Sequence, residues 1–145
     1  MRIAIPAALM ALAIAPMPAF AASAAEGEWL LGDDAGRVRI APCPGEANKL
    51  CGTIIAIKAR PAGQPAPKTK DGKPTRDPQS MVGQIIMVGF KPNGEGKWNG
   101  GKFQFPGSDK SINATLKMNK DGTLRVNGCV LLLCGGQDWR RPPKL

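Results

Sequence analysis

The sequence predicts an all-β fold from three observations. Apolar and polar residues alternate in short segments, including "RVRI" (37–40), "KFQF" (102–105) and "SINATLKM" (111–118), and a period of two is typical of half-buried strands. Glycine and proline are frequent, with 18 and 14 of the 145 residues. No segment after the N-terminal leader has convincing helical periodicity. We therefore expect eight or nine short strands, arranged as a meandering sandwich or a barrel.

Turn sequences separate the predicted strands along the chain. The alternating "RVRI" follows "DDAG", and two apolar runs, "GTIIAIK" and "GQIIMVGF", are predicted as central strands. "NGEG" and "NGG" precede "KFQF", and "KDG" separates "SINATLKM" from "TLRVN". Alternation does not reveal which face is internal. The candidates comprise the bulky Phe103, Phe105, Ile112, Leu116, Met118 and Leu124, together with the small Ala56 and Ala114, which would leave space.

The N-terminus has the features of a secretory signal peptide. Arg2 is the only charge before Glu26, an apolar stretch runs from residue 3 to 20, and two Ala-x-Ala sites follow. Three prolines interrupt this short stretch, which argues against a membrane anchor. We predict a signal peptide at residues 1–24, a single domain at residues 25–145 and a periplasmic or secreted location.

Charge suggests which partners are available. The leader contains one of the 20 basic residues and none of the 11 acidic ones, so cleavage leaves a net charge of +8. Outside the cytoplasm, the available anions are lipid headgroups, lipopolysaccharide and acidic cell-wall polymers rather than nucleic acid. The sequence is thus compatible with an anionic envelope partner or with a merely solvated basic surface. No other segment is long enough to span a membrane, and nothing indicates the oligomeric state.

Composition argues against most catalytic chemistry. The chain contains no histidine and no tyrosine, which removes imidazole-based metal sites and histidine-based catalysis. None of Ser80, Ser108 and Ser111 lies in a nucleophile elbow. The neighbouring carboxylates Asp33 and Asp34, or Glu26 and Glu28, are typical of solvated turns rather than of an acid–base pair. We predict a protein that is not an enzyme and has no metal or cofactor.

One segment interrupts the strand pattern. Residues 59–80 contain five prolines, five cations and two carboxylates. Proline removes ladder donors, so this segment cannot be a central strand. Long loops are usually functional or mobile, and the alternatives are a basic flap beside a ligand site or a surface connection.

The four cysteines, in an exported chain, predict disulfides before metal or redox sites. Three connectivities are available. Cys43–Cys51 would close a Pro-Gly loop, whereas Cys129–Cys134 requires "CVLLLC" to bulge or turn, because an extended segment of that length spans too far. We favour these two pairs, and the alternative is bridges between the two cysteine pairs.

Several segments, in order, resemble a family of exported bacterial proteins known as domain of unknown function 2147. They are "GEWL", "IAPC", "LCGTI", "DGKPTRDP", "GFKPNGEGKWNGGKF", "DGTLRVNGCV" and "QDWRR", from about Gly27 to Arg141. The resemblance implies a small lipocalin-like, antiparallel up-and-down β-barrel of about eight strands, stapled by disulfides. It implies no activity, since none is established for the family.

The lipocalin-like pattern also gives a role to the two ends of the chain. Gly27-Glu28-Trp29 matches the G-x-W that opens lipocalin barrels, in which the tryptophan packs beneath an arginine of the last strand. Trp139-Arg140-Arg141 supplies such a partner, and the resemblance therefore implies that Trp29, Trp139 and Arg141 close the barrel. An arginine over an indole contributes about 0.5–2 kcal/mol.

Two functions remain. The first is a non-catalytic barrel that binds a small apolar or amphipathic ligand, since eight-stranded barrels can hold one small ligand. The second is a structural or interaction module with a side-chain-filled barrel, whose basic surface contacts anionic envelope components.

Export is directly testable. Because the leader ends in Ala-x-Ala sites, protein isolated from cells is expected to begin within a few residues of Ala22 to Ala25, as measured by intact mass. A mass that retains Met1, or recovery with the cytoplasmic fraction, would contradict the secretory interpretation.

Overall fold

The computed structural model describes residues 23–59, 61–65, 68, 70–73, 77–105 and 110–144. The predicted signal peptide lies outside the described residues except for its last two positions, 23 and 24. The proline-rich segment is described in part.

Eight antiparallel strands form one sheet in sequence order, so every strand pairs with its neighbours along the chain. A 3₁₀ turn at Pro78–Met81 lies between the third and fourth strands. The strands are β1 (Gly27–Leu30), β2 (Gly36–Cys43), β3 (Glu46–Ile57), β4 (Ile85–Pro92), β5 (Lys97–Gln104), β6 (Ser111–Met118), β7 (Leu124–Val130) and β8 (Leu133–Trp139). The predicted fold class, an all-β up-and-down barrel of about eight strands with disulfides, is confirmed.

The alternation read from the sequence corresponds to the two faces of the sheet. In β2, Val38 and Ile40 are buried, whereas Arg37 and Arg39 are exposed. In β6, Ala114 and Leu116 are buried between exposed polar neighbours. The apolar runs predicted as central strands lie in β3 and β4, where they pair through Gly52 and Met87. One face of the sheet is exposed to solvent and the other packs on the core, so the alternation of polar and apolar residues identifies the strands.

The sheet curls until its first and last strands meet. A single backbone bridge joins them in the described chain, between Leu30 and Arg140, and the Leu30 N–H donates to the Arg140 carbonyl at 2.8 Å. The loops after β1, β3, β5 and β7 lie at one end of the barrel, named here the open end. The termini and the other turns lie at the opposite, closed end. The barrel is thus closed by very few backbone contacts.

Large side chains fill the interior toward the closed end. Trp29, Phe90, Met87 and Leu124 are fully buried there, and Trp98 is 5% exposed. Gly101 on β5 makes room for this packing, because a Cβ at that position would lie 2.4 Å from the Phe90 ring. A side chain at residue 101 would displace the ring from the core.

Both disulfides join neighbouring strands. Cys43 bonds to Cys51 across the β2–β3 hairpin, beside a register shift between Pro42 and Cys43. Cys129 bonds to Cys134 across the β7–β8 hairpin, where the two residues are direct register partners. The "CVLLLC" segment therefore turns between its cysteines, and this turn is what brings them within bonding distance.

Each disulfide is expected to stabilise the barrel separately. In the chain-entropy treatment, loops this short contribute about 2 kcal/mol each. Replacing Cys129 and Cys134 together by alanine should lower the free energy of unfolding by about that amount, measured by urea unfolding. The matched Cys43→Ala/Cys51→Ala variant should behave similarly, and an unchanged midpoint in either variant would contradict the expectation.

Candidate binding cavity

A large cavity occupies the interior toward the open end. Its volume is about 1300 Å³, whereas small-molecule sites commonly measure about 300–1,000 Å³. The apolar side chains of its wall are Leu31, Ile54, Ile57, Met81, Ile86, Phe103, Phe105, Ile112, Val126, Val130, Leu133 and Trp139. The barrel is therefore filled with side chains in one half and hollow in the other.

Small residues line the cavity along the last three strands. Ala114, Gly128 and Gly135 line the cavity from β6, β7 and β8. Gly128 and Gly135 are register partners. A Cβ added at Gly135 would meet no atom within 4 Å, so this wall borders open volume.

The candidate internal residues divide between the two halves. Phe103, Phe105 and Ile112 line the cavity, whereas Leu116 and Leu124 are buried in the filled half. Ala114 provides space in the cavity wall, as expected. Ala56 is exposed and contributes none. The expectation for Ala56 was wrong, because the strand is irregular there and Ile54 and Ile57 line the cavity in its place.

The cavity mouth is more polar than its interior. Asp33, Lys58, Asp77 and Gln79 lie in its rim. Both carboxylates accept backbone N–H bonds at 3.0 Å, Asp33 from Ala35 and Asp77 from Gln79. The rim therefore offers mixed charges above an apolar wall.

The described ends of the proline-rich segment form part of this rim. Ala59, Pro61, Asp77 and Gln79 all line the cavity mouth. Gln79 is anchored to the barrel because its amide donates to the Ile57 carbonyl at 2.9 Å. The described ends of this segment therefore lie beside the cavity, and its role as a flap or as a surface connection stays a prediction.

Trp139 lies at the junction between the hollow and filled halves. It is 2% exposed and contributes to the cavity wall. Its indole N–H donates to the Gln137 side-chain oxygen at 3.3 Å. Gln137 also lines the cavity, so a polar pair occurs at the end of an otherwise apolar wall.

Trp29 and Arg141 meet where the ends of the sheet come together. The Arg141 guanidinium carbon lies 3.8 Å from the centroid of the Trp29 ring. The same guanidinium donates to the carbonyls of Glu26 and Ala24, each at 2.9 Å. Trp29 is fully buried, and its indole N–H donates to the Ala25 carbonyl at 2.8 Å.

This contact clamps the N-terminal segment onto the barrel. Partial burial lowers the pKa of Arg141 from its usual value, although a guanidinium remains charged at any physiological pH. The cation therefore persists over the indole face and continues to bond the Glu26 carbonyl, whereas the bond to Ala24 is lost when the predicted leader is cleaved.

Three of the carboxylates considered in the sequence analysis take part in ion pairs or hydrogen bonds with nearby residues. Asp34 pairs with Arg140 on the surface, and Glu28 pairs with Arg39 at 2.8 Å on the outer face of the barrel. The Glu26 side chain accepts a bond from the Ser23 backbone N–H. The described residues include no cluster of three or more His, Cys, Asp or Glu side chains suited to a metal ion.

Sequence reasoning missed two features of the open end. One is Gly135. Its contribution to the cavity could not be predicted, because the sequence does not show which residues surround it. The other is the tip of the β7–β8 hairpin, where Leu131 and Leu132 are 96% and 98% exposed. The favoured Cys129–Cys134 pair predicted a bulge or turn within "CVLLLC", but not that its leucines would be exposed at the apex.

Comparison with known proteins places the chain in a family. Residues 27–141 match the model of a family described as uncharacterized protein conserved in bacteria (DUF2147). The chain belongs to this family. No curated protein matches it.

The chain is also similar to a solved structure described as protein HP1028 from the human pathogen Helicobacter pylori, belonging to the lipocalin family. The two are 16% identical, the match covers 74% of this chain and 73% of that one, and the TM-score is 0.49. Within the described part of this DUF2147 protein, no helix has the length and apolar character needed to cross a membrane.

The Trp29–Arg141 contact predicts a coupled loss of stability. Trp29→Ala is expected to cost about 3–5 kcal/mol, as for other buried large-to-small changes, and Arg141→Ala less. The two losses should be non-additive, since the groups touch. A double-mutant cycle measured by urea unfolding tests this.

Arg140→Ala provides the matched control. Its ion pair with Asp34 is about half exposed on both sides, and such pairs are worth about 0–1 kcal/mol. A coupling of zero between Trp29 and Arg141, or an Arg140 effect equal to that of Arg141, would show that the clamp does not hold the barrel ends together.

Proposed function

We propose that this protein is an exported, non-catalytic carrier that binds one small apolar or amphipathic molecule inside its barrel. The observation that carries the proposal is the cavity of about 1300 Å³ behind an open mouth. The periplasm or the cell exterior is the proposed location, and two disulfides are compatible with it.

The chemistry of the wall supports an apolar or amphipathic ligand. Aliphatic and aromatic side chains dominate the wall, and polar groups are concentrated at the rim and beside Trp139. Burying apolar ligand surface contributes about 25 cal/mol per Å². A ligand with an apolar body and a polar end would satisfy both the wall and the rim.

The alternative, an interaction module with a filled barrel, is less well supported. Such a module requires no internal space, and Gly135 borders open volume where a larger side chain would fit. Its basic surface remains relevant to partners, because the full chain carries a net charge of +9.

The absence of catalysis is also part of the proposal. The chain has no histidine, and the two carboxylates of the described cavity rim each accept a backbone N–H bond in their own turn. These two carboxylates thus act within their own turns, and we propose no catalytic step for them.

A cavity-filling variant tests the binding proposal. Gly135→Phe would place a ring in the cavity without a backbone clash, because a Cβ there meets nothing within 4 Å. Binding of a fluorescent fatty-acid probe, followed by titration, should weaken at least about tenfold, a loss of about 1.4 kcal/mol.

Thr115→Phe is the matched control, since Thr115 is exposed on β6 and is absent from the wall of the main cavity. It should leave probe affinity unchanged. If the wild type fails to bind the probe and carries no lipid-sized mass in native mass spectrometry after isolation from its own envelope, the carrier proposal is wrong. Equal affinity of the Gly135→Phe variant would place the binding outside the cavity.

A further inference from the structure

The tip of the β7–β8 hairpin is an exposed apolar surface, named here the leucine tip and comprising Val130 to Leu133. The exposed fractions of these residues are 54%, 96%, 98% and 82% in chain order. Exposing a run of apolar residues this long to water is unfavourable. Such runs usually mark a site of interaction with another molecule or with a membrane. Nothing in the described chain packs over it.

The turn keeps its leucines at a conformational cost. Leu131 has a φ of 55°, one of two non-glycine residues in the described chain with positive φ. Glycine or asparagine adopts this conformation far more readily. The conformation of the turn therefore does not account for a leucine at this position.

The Cys129–Cys134 disulfide fixes the base of the leucine tip. The two cysteines are direct partners, and the next pair is Val130 with Leu133. With a rise of about 3.3 Å per residue, the tip projects about 7 Å beyond the disulfide. This length matches the depth of about 5–10 Å to which interfacial segments enter the headgroup and acyl boundary.

The sequence of the open-end connections has a small excess of cations. Residues 31–35, 58–84 and 105–110 together contain seven lysines or arginines and five aspartates. Lys110 directly precedes β6 at the open end, and β6 pairs with β7, the strand that leads into the tip. A cation beside an inserting apolar tip is favourable at an anionic lipid surface.

We propose that the leucine tip docks the open end of the barrel onto an anionic phospholipid bilayer. Leu131 and Leu132 enter the interface, and the neighbouring cations contact lipid headgroups. Val130 and Leu133 belong both to the tip and to the cavity wall, so docking turns the cavity mouth toward the membrane. The docking itself holds whether or not the cavity carries a ligand.

A bilayer fits the tip better than a second copy of the chain does. The net charge of +8 that remains after cleavage of the predicted leader opposes self-association and favours an anionic surface. The tip is also convex and narrow, whereas pairing of two copies requires a matching concave or flat patch of adequate area.

Vesicle partitioning of the exported protein, with both disulfides intact, tests this proposal. The wild type should bind vesicles of phosphatidylglycerol and phosphatidylethanolamine, and bind pure phosphatidylcholine more weakly. Leu131→Ser/Leu132→Ser should weaken partitioning about tenfold or more. Val88→Ser, which removes a 36% exposed apolar side chain from the outer face of β4, should change it less than twofold.

A second variant, with a fluorescent residue in the tip, tests the proposal independently if the serine substitutions disturb folding. Leu132→Trp adds one exposed indole to three buried ones, Trp29, Trp98 and Trp139. Its emission should shift to the blue on adding anionic vesicles and should be quenched by brominated lipid.

Three results would overturn the proposal. The first is that the wild-type protein does not bind anionic vesicles, and the second is that brominated lipid does not quench the emission of the Leu132→Trp variant. The third is that substitutions in the tip change dimerisation in sedimentation but not vesicle binding. The fatty-acid titration, repeated on Leu131→Ser/Leu132→Ser without vesicles, separates the two proposals. Unchanged probe affinity there leaves the carrier proposal intact whatever the vesicles show.

Discussion

The barrel depends on a side-chain contact, because backbone pairing contributes little where its ends meet. In the described chain, one backbone bridge joins β1 to the residue after β8, Leu30 with Arg140, while Arg141 covers Trp29 and bonds the Glu26 carbonyl, which the predicted cleavage leaves in place. An open sheet edge templates pairing with other chains. The contact therefore joins the sequence ends and limits this exposure, and the cation–π attraction and the charge-assisted hydrogen bonds act on the same guanidinium.

The position of the large side chains explains why the remaining volume is hollow. Trp29, Trp98 and Phe90 fill the closed end, and Gly101 lets the Phe90 ring approach the β5 backbone. Toward the open end, the walls of β6, β7 and β8 contribute Ala114, Gly128 and Gly135. The interior of an eight-stranded barrel can be filled by side chains or can hold one small ligand. In this protein, large side chains fill the closed half, and small residues line the hollow open half.

The sequence was sufficient for the strands but only partly for the site. Alternation in "RVRI" and "SINATLKM" predicted the buried positions in β2 and β6 because one face of the sheet is wet. It could not predict that Ala56 is exposed, since the irregular pairing around Arg37 and Val38 changes which residues face inward. The cysteine spacing predicted a bulge or turn within "CVLLLC", but it could not place Leu131 in a left-handed conformation at the apex, because no glycine, asparagine or aspartate marks that position. The cavity is a property of several strands together, and no local pattern encodes it.

The Cys129–Cys134 disulfide compensates for the weak turn sequence of the β7–β8 hairpin at the open end. A turn without glycine is a weak determinant of register, and Leu131 adopts a conformation that disfavours it. The covalent bond between Cys129 and Cys134 supplies the register that the turn sequence does not. With the hairpin fixed in this way, its register does not depend on turn-forming residues at the apex. Val130 and Leu133 connect this apex to the cavity wall, so the same strand pair determines both the exposed apolar surface and one side of the cavity mouth.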